Sequence, residues 1–278
     1  MAPAHAAADL GARQDAQGRA LVYVADDRNS GSQNPPIAWY RATMGRAGES
    51  VMTELAGFAG TLQADGFTGY NQLYKGGAIR EAACLAHLRR KIFDVHDSQP
   101  TELSTTAMAG IQAIYRIEEE IRGLPPAERL AARRRRTRPL VRALRRQLMR
   151  QGNGLSRHAA IAKAFADGTK RWRAFNRFLY DGQLEPDNLV AERAIRGFTV
   201  GRRNWLFSGN FAAAERSAVV LSIIETCKLC GVDAESYMAD VTERIQNDWP
   251  ASRWDELMPW TWGAAKRCRS RWQHERDR

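Results

Sequence analysis

The sequence predicts an α/β fold whose strands come early and are followed by a long helical stretch. Two observations point there. Up to residue 87, apolar runs and turn clusters alternate in the order strand, strand, helix, strand, helix, strand. From His87 onward the patterning is helical only. A third observation sets the scale: 278 residues with 44% hydrophobic content can bury a core large enough for one interrupted domain or two modest ones.

Residues 20–26 (Ala-Leu-Val-Tyr-Val-Ala-Asp) and 36–43 (Pro-Ile-Ala-Trp-Tyr-Arg-Ala-Thr) read as strands, joined by a Ser-, Gly-, Asn- and Pro-rich turn from Asn29 to Pro36. Residues 48–57 read as a short helix, 61–65 as a strand closed by Gly66, 68–75 as a helical turn and 79–85 as a buried strand. Beyond them, Met108, Ile111, Ile114, Ile117 and Ile121 recur at spacings of three and four and define one apolar helix face. Gly123-Leu-Pro-Pro breaks that helix. Residues 127–150 carry ten arginines and one acid, Glu128, with Pro139 interrupting the run. Residues 156–180 read as further helix, with Ile161, Phe165, Trp172, Phe175 and Phe178 on or near one face. Gly263 to Arg278 is a polar, basic tail.

The charge balance narrows the function. Lys plus Arg is 42 against 31 for Asp plus Glu, a net charge of +11. Such a surface attracts polyanions through counterion release. Arg133, Arg134, Arg135 and Arg136 have two readings, a solvated helix face or a phosphate-tracking surface, and the scarcity of acids nearby favours contact with DNA. No apolar run approaches the roughly 18 residues that span a bilayer. The start lacks the basic flank and apolar core of a signal peptide. Four cysteines (Cys84, Cys227, Cys230, Cys268) suit a cytoplasmic protein better than a disulfide framework.

Asp65 closes a strand, the position at which α/β folds place ligands. Glu192 lies in the first turns of a helix that starts after Pro186, with Asp187 or Asn188 as its cap. Taken alone, Asp65 reads as a turn cap before Gly66, and Glu192 as a surface ion pair with Arg196 four residues on, worth a few tenths of a kcal/mol.

Together with their neighbours these segments carry more. Leu62-Gln-Ala-Asp-Gly-Phe-Thr-Gly-Tyr70 is followed by Cys84-Leu-Ala-His-Leu-Arg-Arg-Lys91 and Arg177-Phe-Leu-Tyr-Asp-Gly182. Asp187-Asn-Leu-Val-Ala-Glu-Arg193 and Gly201-Arg-Arg-Asn-Trp-Leu-Phe-Ser-Gly209 come next. Tyr237 to Trp262, with Asp255-Glu-Leu-Met-Pro-Trp260, closes the series. In this order the motifs resemble insertion sequence 66 family transposases over residues 18–262.

The resemblance implies a ribonuclease-H-like mixed sheet interrupted by an all-helical insertion, with a helical C-terminal segment. It divides the chain into 1–90, the first part of that core; 91–183, the Arg-rich insertion; 184–230, the closing helices with Glu192; and 231–278, the C-terminal segment and tail. It implies an Asp-Asp-Glu DNA transposase, with Asp65 as second aspartate and Glu192 as closing glutamate, both holding Mg²⁺. Two such ions activate a water or 3′-hydroxyl and stabilise the leaving oxygen at a phosphodiester. It implies double-stranded DNA (transposon ends and target) as partner, a homo-oligomer on DNA, accessory proteins of the element, and a location at the bacterial nucleoid.

Cys84 and His87 are implied to orient groups near the metal. A rival assignment joins them with Cys227 and Cys230 in a zinc site. Arg202 and Arg203 are expected to hold DNA phosphate, and Trp205 either to stack on a base or to pack in the core.

The family's first aspartate falls at or just before Met1 in this register, and Asp9, Asp15, Asp26 and Asp27 are out of line with it. The expectation is an N-terminally truncated copy with weakened Mg²⁺ binding and a sheet short of part of its central strand, for which residues 3–8 offer partial replacement. A non-catalytic DNA-binding or regulatory fragment is the alternative.

Overall fold

The computed structural model describes residues 4–8, 18–44, 48–152, 166, 170–201 and 210–264. The architecture is mixed α/β and mostly helical. The chain divides into two compact units: Met1–Ala8, Asp26–Asn34 and Arg46–Arg193 form one, and Asp9–Ala25, Pro35–Gly45 and Ala194–Arg278 the other.

The first unit is built on three strands, β1 (Ala4–Ala8), β4 (Gly60–Ala64) and β5 (Ile79–Ala83). Strand β4 lies between the other two and is parallel to both, in the register Ala6↔Ala64 and Ala64↔Ala83. Residues 4–8 thus form the additional strand expected there. Between β4 and β5 run a turn at Thr68–Tyr70 and the short helix α2 (Asn71–Lys75); α1 (Gly48–Glu54) precedes β4. Thr61, Leu62, Gln63 and Ala64 are all buried, as the residues of a parallel strand covered on both faces are.

Helices follow this small sheet. They are α3 (Leu85–Ser98), α4 (Glu102–Glu120), α5 (Pro126–Ala132) and α6 (Arg138–Gly152), with α7 (Trp172–Phe175) after them. Thr101 starts α4 with a capping box to Ser104. Pro125 and Pro126 start α5, where a missing N–H costs nothing. Pro139 does not end the helix. The chain widens into one π-helical turn over Arg133–Thr137, and α6 begins with Pro139 at its second residue. A π turn relieves the clash of the proline ring with the preceding carbonyls. The apolar stripes meet in one core: Leu85, Leu88 and Ile92 of α3, Ile111 and Ile114 of α4, and Val141, Leu144 and Leu148 of α6. Ala83 and Leu184 belong to the same cluster. Ala83 of β5 thus packs in the same cluster as these helices.

Inside that core lies an ionic network. Arg133 is 0% exposed and Arg129 1% exposed. The Arg133 guanidinium grips Glu118 of α4, with Nη2 2.6 Å from Oε2. It also donates to the carbonyls of Phe178, Asp181 and Leu184 at 3.0, 2.9 and 2.8 Å. Arg129 donates to the carbonyl of Gly182 at 2.9 Å and to Glu185 Oε1 at 2.5 Å. Burial and the neighbouring Arg133 cation pull the Arg129 guanidinium below its ordinary pKa, while Glu185 and Glu118 oppose them. Gly182 sits so close to α5 that a Cβ would stand 2.0 Å from the carbonyl oxygen of Pro126.

In the second unit β2 (Gly18–Ala25) and β3 (Ile37–Met44) pair antiparallel, from Gly18↔Met44 to Ala25↔Ile37. Helix α9 (Phe211–Leu229), which follows α8 (Leu189–Gly201), lies along β3. Its hydroxyls complete the strand's backbone pairing. Thr226 Oγ1 lies 3.2 Å from both the N–H and the C=O of Ala38, and Ser222 Oγ accepts from the Tyr40 N–H at 2.8 Å. An otherwise exposed strand edge is thereby satisfied. The Tyr40 hydroxyl donates to the Ala194 carbonyl at 2.6 Å. Helix α10 (Ala234–Gln246), capped by Asp233, packs through Tyr237 on Cys227, Val232 and Trp262. Among the described residues no helix is long and apolar enough to cross a membrane.

Removing one partner of a buried, hydrogen-bonded ion pair costs about 3–5 kcal/mol. Arg133→Ala leaves three carbonyls without that donor and Glu118 with Arg129 at 3.6 Å as its cation, so equilibrium denaturation is expected to show a loss of about that size, whereas exposed Arg134→Ala leaves the midpoint unchanged. Equal midpoints for the two variants would remove the network from its structural role.

Candidate active site

The site is built where two parallel strands end. Because Ala64 pairs with Ala83, the next residues, Asp65 and Cys84, leave the sheet side by side, on strands about 4.8 Å apart. Cys84 is extended and occupies the N-cap of α3, which puts His87 in the first turn of that helix. Its thiol is buried, and burial pushes its pKa up to about 12. The backbone N–H groups of Asn188 and His87 pull the other way, the first at 3.5 Å from Sγ.

The segment 181–188 brings in the glutamate. Arg129 and Arg133 hold it by the carbonyls of Asp181, Gly182 and Leu184. Two further bonds dock it on the strand ends: Gln63 Nε2 donates to the Glu185 carbonyl at 3.0 Å, and the Leu85 N–H to the Pro186 carbonyl at 2.9 Å. Of the two proposed caps, Asp187 acts through its side chain, and Asn188 caps only through its backbone carbonyl. Asp187 Oδ1 accepts the Leu189 N–H at 3.1 Å, and the Asn188 carbonyl accepts the N–H groups of Ala191 and Glu192. Asp187 is buried. Burial, first, raises its carboxyl pKa, against the Leu189 N–H and the Tyr115 hydroxyl beside it. Burial drives the Tyr115 hydroxyl above its ordinary value in turn.

One turn into α8, the Glu192 carboxylate faces the start of α3. Its Oε1 lies 3.3 Å from His87 Nδ1 and 3.9 Å from Cys84 Sγ. One ligand atom from each of Cys84, His87 and Glu192 can be chosen so that all lie within 4.8 Å of one another. Asp65 is outside that group. Its Oδ1 accepts the Phe67 N–H at 3.0 Å, the turn-capping arrangement. Gly66 follows with φ +101°, and the Arg171 guanidinium lies where its Cβ would be, paired with Glu81. Burial, first, and then the Asp65 charge raise the hydroxyl pKa of Tyr70.

Asp65 and Glu192 offer the hard oxygen donors that Mg²⁺ takes. The groups nearest to Glu192 offer sulfur and nitrogen, which Mg²⁺ does not favour.

The arginine run needs correction. Arg133 cannot touch phosphate, because it is fully buried and its donors are spent on Glu118 and three carbonyls. Acids distant in sequence supply partners that a local count missed. Arg134, Arg135 and Arg136 are exposed, and Arg136 pairs with Glu120 at 2.6 Å. Arg196 is exposed on α8. Arg202, Arg203 and Trp205 lie outside the described residues, as do Ile161 and Phe165. Cys227 is buried among Val232, Tyr237 and Trp262, and Cys230 Sγ lies 3.8 Å from the Pro36 carbonyl. Among the described residues the group around Glu192 holds Cys84 and His87. Glu118, Arg129 and Arg171 were not singled out in the sequence. The one readable signal was Glu118, an acid on the apolar stripe of Ile111, Ile114 and Ile121.

Comparison with known proteins agrees with the motif order. Residues 4–216 match the family model described as "Transposase IS66 family", and residues 222–260 match "IS66 C-terminal element". The uncharacterized protein y4hP of Sinorhizobium fredii is 37% identical over 264 residues, covering 89% of this chain and 48% of that protein. The uncharacterized protein y4qI of the same organism is 36% identical over 246 residues, covering 86% and 46%. The chain thus spans about half the length of the curated relatives it matches. No solved structure matches it significantly. Family models covering most of its residues, together with these relatives, make the chain a member of the IS66 transposase family.

Proposed function

We propose that the chain supplies the catalytic region of a bacterial insertion-sequence DNA transposase that cleaves and joins phosphodiesters with divalent metal ions. The observation that carries this reading is the position of Glu192: a buried network and two docking bonds deliver it to the strand end beside Cys84, whose neighbour on the adjacent strand is Asp65. Three parallel strands with helices after them are the elements of a ribonuclease-H-like core, and the segments 1–90 and 184–230 are assigned to it. The stretch 91–183 is the insertion, and 231–278 the C-terminal segment.

In this reading the carboxylates of Asp65 and Glu192 hold Mg²⁺. Bound Mg²⁺ supplies Lewis acidity at the phosphodiester and a nucleophile at neutral pH. The chain's own groups set the stage. The Phe67 N–H fixes the Asp65 carboxylate, and His87 lies against Glu192 Oε1. The exposed arginines of the π turn and α6 (Arg134, Arg135, Arg142, Arg145, Arg146 and Arg150) form a phosphate-binding face with no acid in its own stretch. Oligomerisation on DNA and accessory proteins of the element belong to the same proposal.

Cleavage and strand transfer on labelled transposon-end DNA, with Mg²⁺ or Mn²⁺, test the chemistry. Activity that disappears in both Asp65→Ala and Glu192→Ala is expected; activity that survives both would reject the carboxylate assignment. Retention of DNA without any cleavage by the unaltered chain would favour the binding-only, regulatory alternative.

DNA binding is tested by salt titration. Each lost phosphate contact reduces the slope of log K against log salt by about 1. Arg134→Ala and Arg135→Ala are each expected to show that reduction on DNA of any sequence. An unchanged slope would move the DNA face elsewhere.

A further inference from the structure

We infer that Cys84, His87 and Glu192 form a three-ligand site for a zinc-type divalent ion, with an open fourth position. The chemistry of the donor set comes first. A thiol, an imidazole and a carboxylate are the ligands of borderline and soft transition metals, not of Mg²⁺. Bond lengths of about 2.3 Å to sulfur and about 2.0–2.2 Å to nitrogen and oxygen put tetrahedral ligand atoms roughly 3.3–3.6 Å apart. The observed separations are 3.3 Å from His87 Nδ1 to Glu192 Oε1 and 3.9 Å from Cys84 Sγ to Glu192 Oε1. The Cys84–His87 pair is bounded at 4.8 Å, so an ion between the three requires that pair to close by up to about 1.2 Å and the Cys84–Glu192 pair by a few tenths.

The surroundings add independent support. His87 Nδ1 is a buried nitrogen that makes no hydrogen bond, although a carboxylate oxygen stands beside it. A metal would use that lone pair. Cys84 Sγ receives the Asn188 N–H, and its own place at the N-cap of α3 sets it at the positive end of a 14-residue helix. Backbone donors and helix N-termini stabilise a metal-bound thiolate. The ligands are held by different elements, α3 and α8, which segment 181–188 ties together. The side chains of His87 and Glu192 are 34% and 33% exposed, so an ion can enter and keep a water or a phosphate oxygen as fourth ligand. Three protein ligands with one open position is the pattern of zinc sites that act on substrates, whereas purely structural sites are closed by a fourth ligand.

The site shares Glu192 with the proposed active site but does not rest on DNA cleavage, and its test reads metal binding alone. The purified chain is titrated with Co²⁺ and then Zn²⁺. One equivalent of Co²⁺ is expected to give tetrahedral visible absorption and a thiolate-to-cobalt charge-transfer band, both displaced by Zn²⁺ and unaffected by excess Mg²⁺. Cys84→Ser is expected to lose the charge-transfer band. His87→Ala and Glu192→Gln alter half-exposed residues, and circular dichroism checks their folding. Each is expected to weaken binding by at least the roughly tenfold that loss of an outer partner costs. Absence of a charge-transfer band in the unaltered chain would overturn the proposal. So would binding unchanged in folded His87→Ala and Glu192→Gln, or a band that disappears in Cys227→Ser instead.

Discussion

Two buried guanidiniums hold the first unit in the form that its site requires. Arg133 and Arg129 lie among apolar side chains, where an unpaired charge would cost several kcal/mol. They are tolerated because Glu118 and Glu185 balance their charge and four backbone carbonyls accept further donors, with Arg129 Nε left without a hydrogen bond. Three of those carbonyls lie on the irregular segment that ends at Asn188, and the fourth, that of Phe178, lies just before it. A segment without ladder bonds of its own is normally a surface loop. This one is fixed from below by planar, multidentate donors, a geometry that lysine does not offer. Gly182, against the Pro126 carbonyl, lets the backbone come close enough. The entry of α8, and with it Glu192, follows from that anchoring.

The same economy of backbone partners recurs in the second unit, with different chemistry. There, among the described residues, β3 has no further strand to pair with on its α9 side. Hydroxyls four residues apart on α9, Ser222 and Thr226, take the place of a ladder. Helical periodicity puts two small polar side chains on one line, and strand periodicity puts the amides of Ala38 and Tyr40 opposite them. Tyr40 shows the accompanying cost: burial, with the Glu225 charge, holds its hydroxyl well above the ordinary pKa, so it stays a proton donor to the Ala194 carbonyl.

Much of the secondary structure was legible because each signal is local. The runs at Leu21–Val24 and Thr61–Ala64, the Gly123-Leu-Pro-Pro break and the isoleucine stripe of α4 all depend on neighbours within a few residues. Pro139 was half legible. It disturbs the helix as its ring must, but the chain absorbs it as a π turn, since the apolar faces on both sides are already committed to the core. Arg133 was misread for the opposite reason. Its sequence neighbours are arginines, and nothing in that run shows that Glu118, fifteen residues earlier on another helix, and carbonyls some fifty residues later surround it.

For the site, the motif series was sufficient to name Asp65, Cys84, His87 and Glu192 as candidates and to indicate the family. Residue types in a fixed order survive being read in one dimension. What the order could not contain was the grouping: Glu192 turns toward Cys84 and His87, while Asp65 engages the Phe67 N–H and lies outside their cluster. The sequence by itself determined the elements, their order and the candidate carboxylates, because propensity and periodicity act between near neighbours. Only the tertiary structure decided which charges are buried and which donors converge, because those depend on contacts between residues from fifteen to more than a hundred positions apart, and the energy of a charge is set by what surrounds it in space.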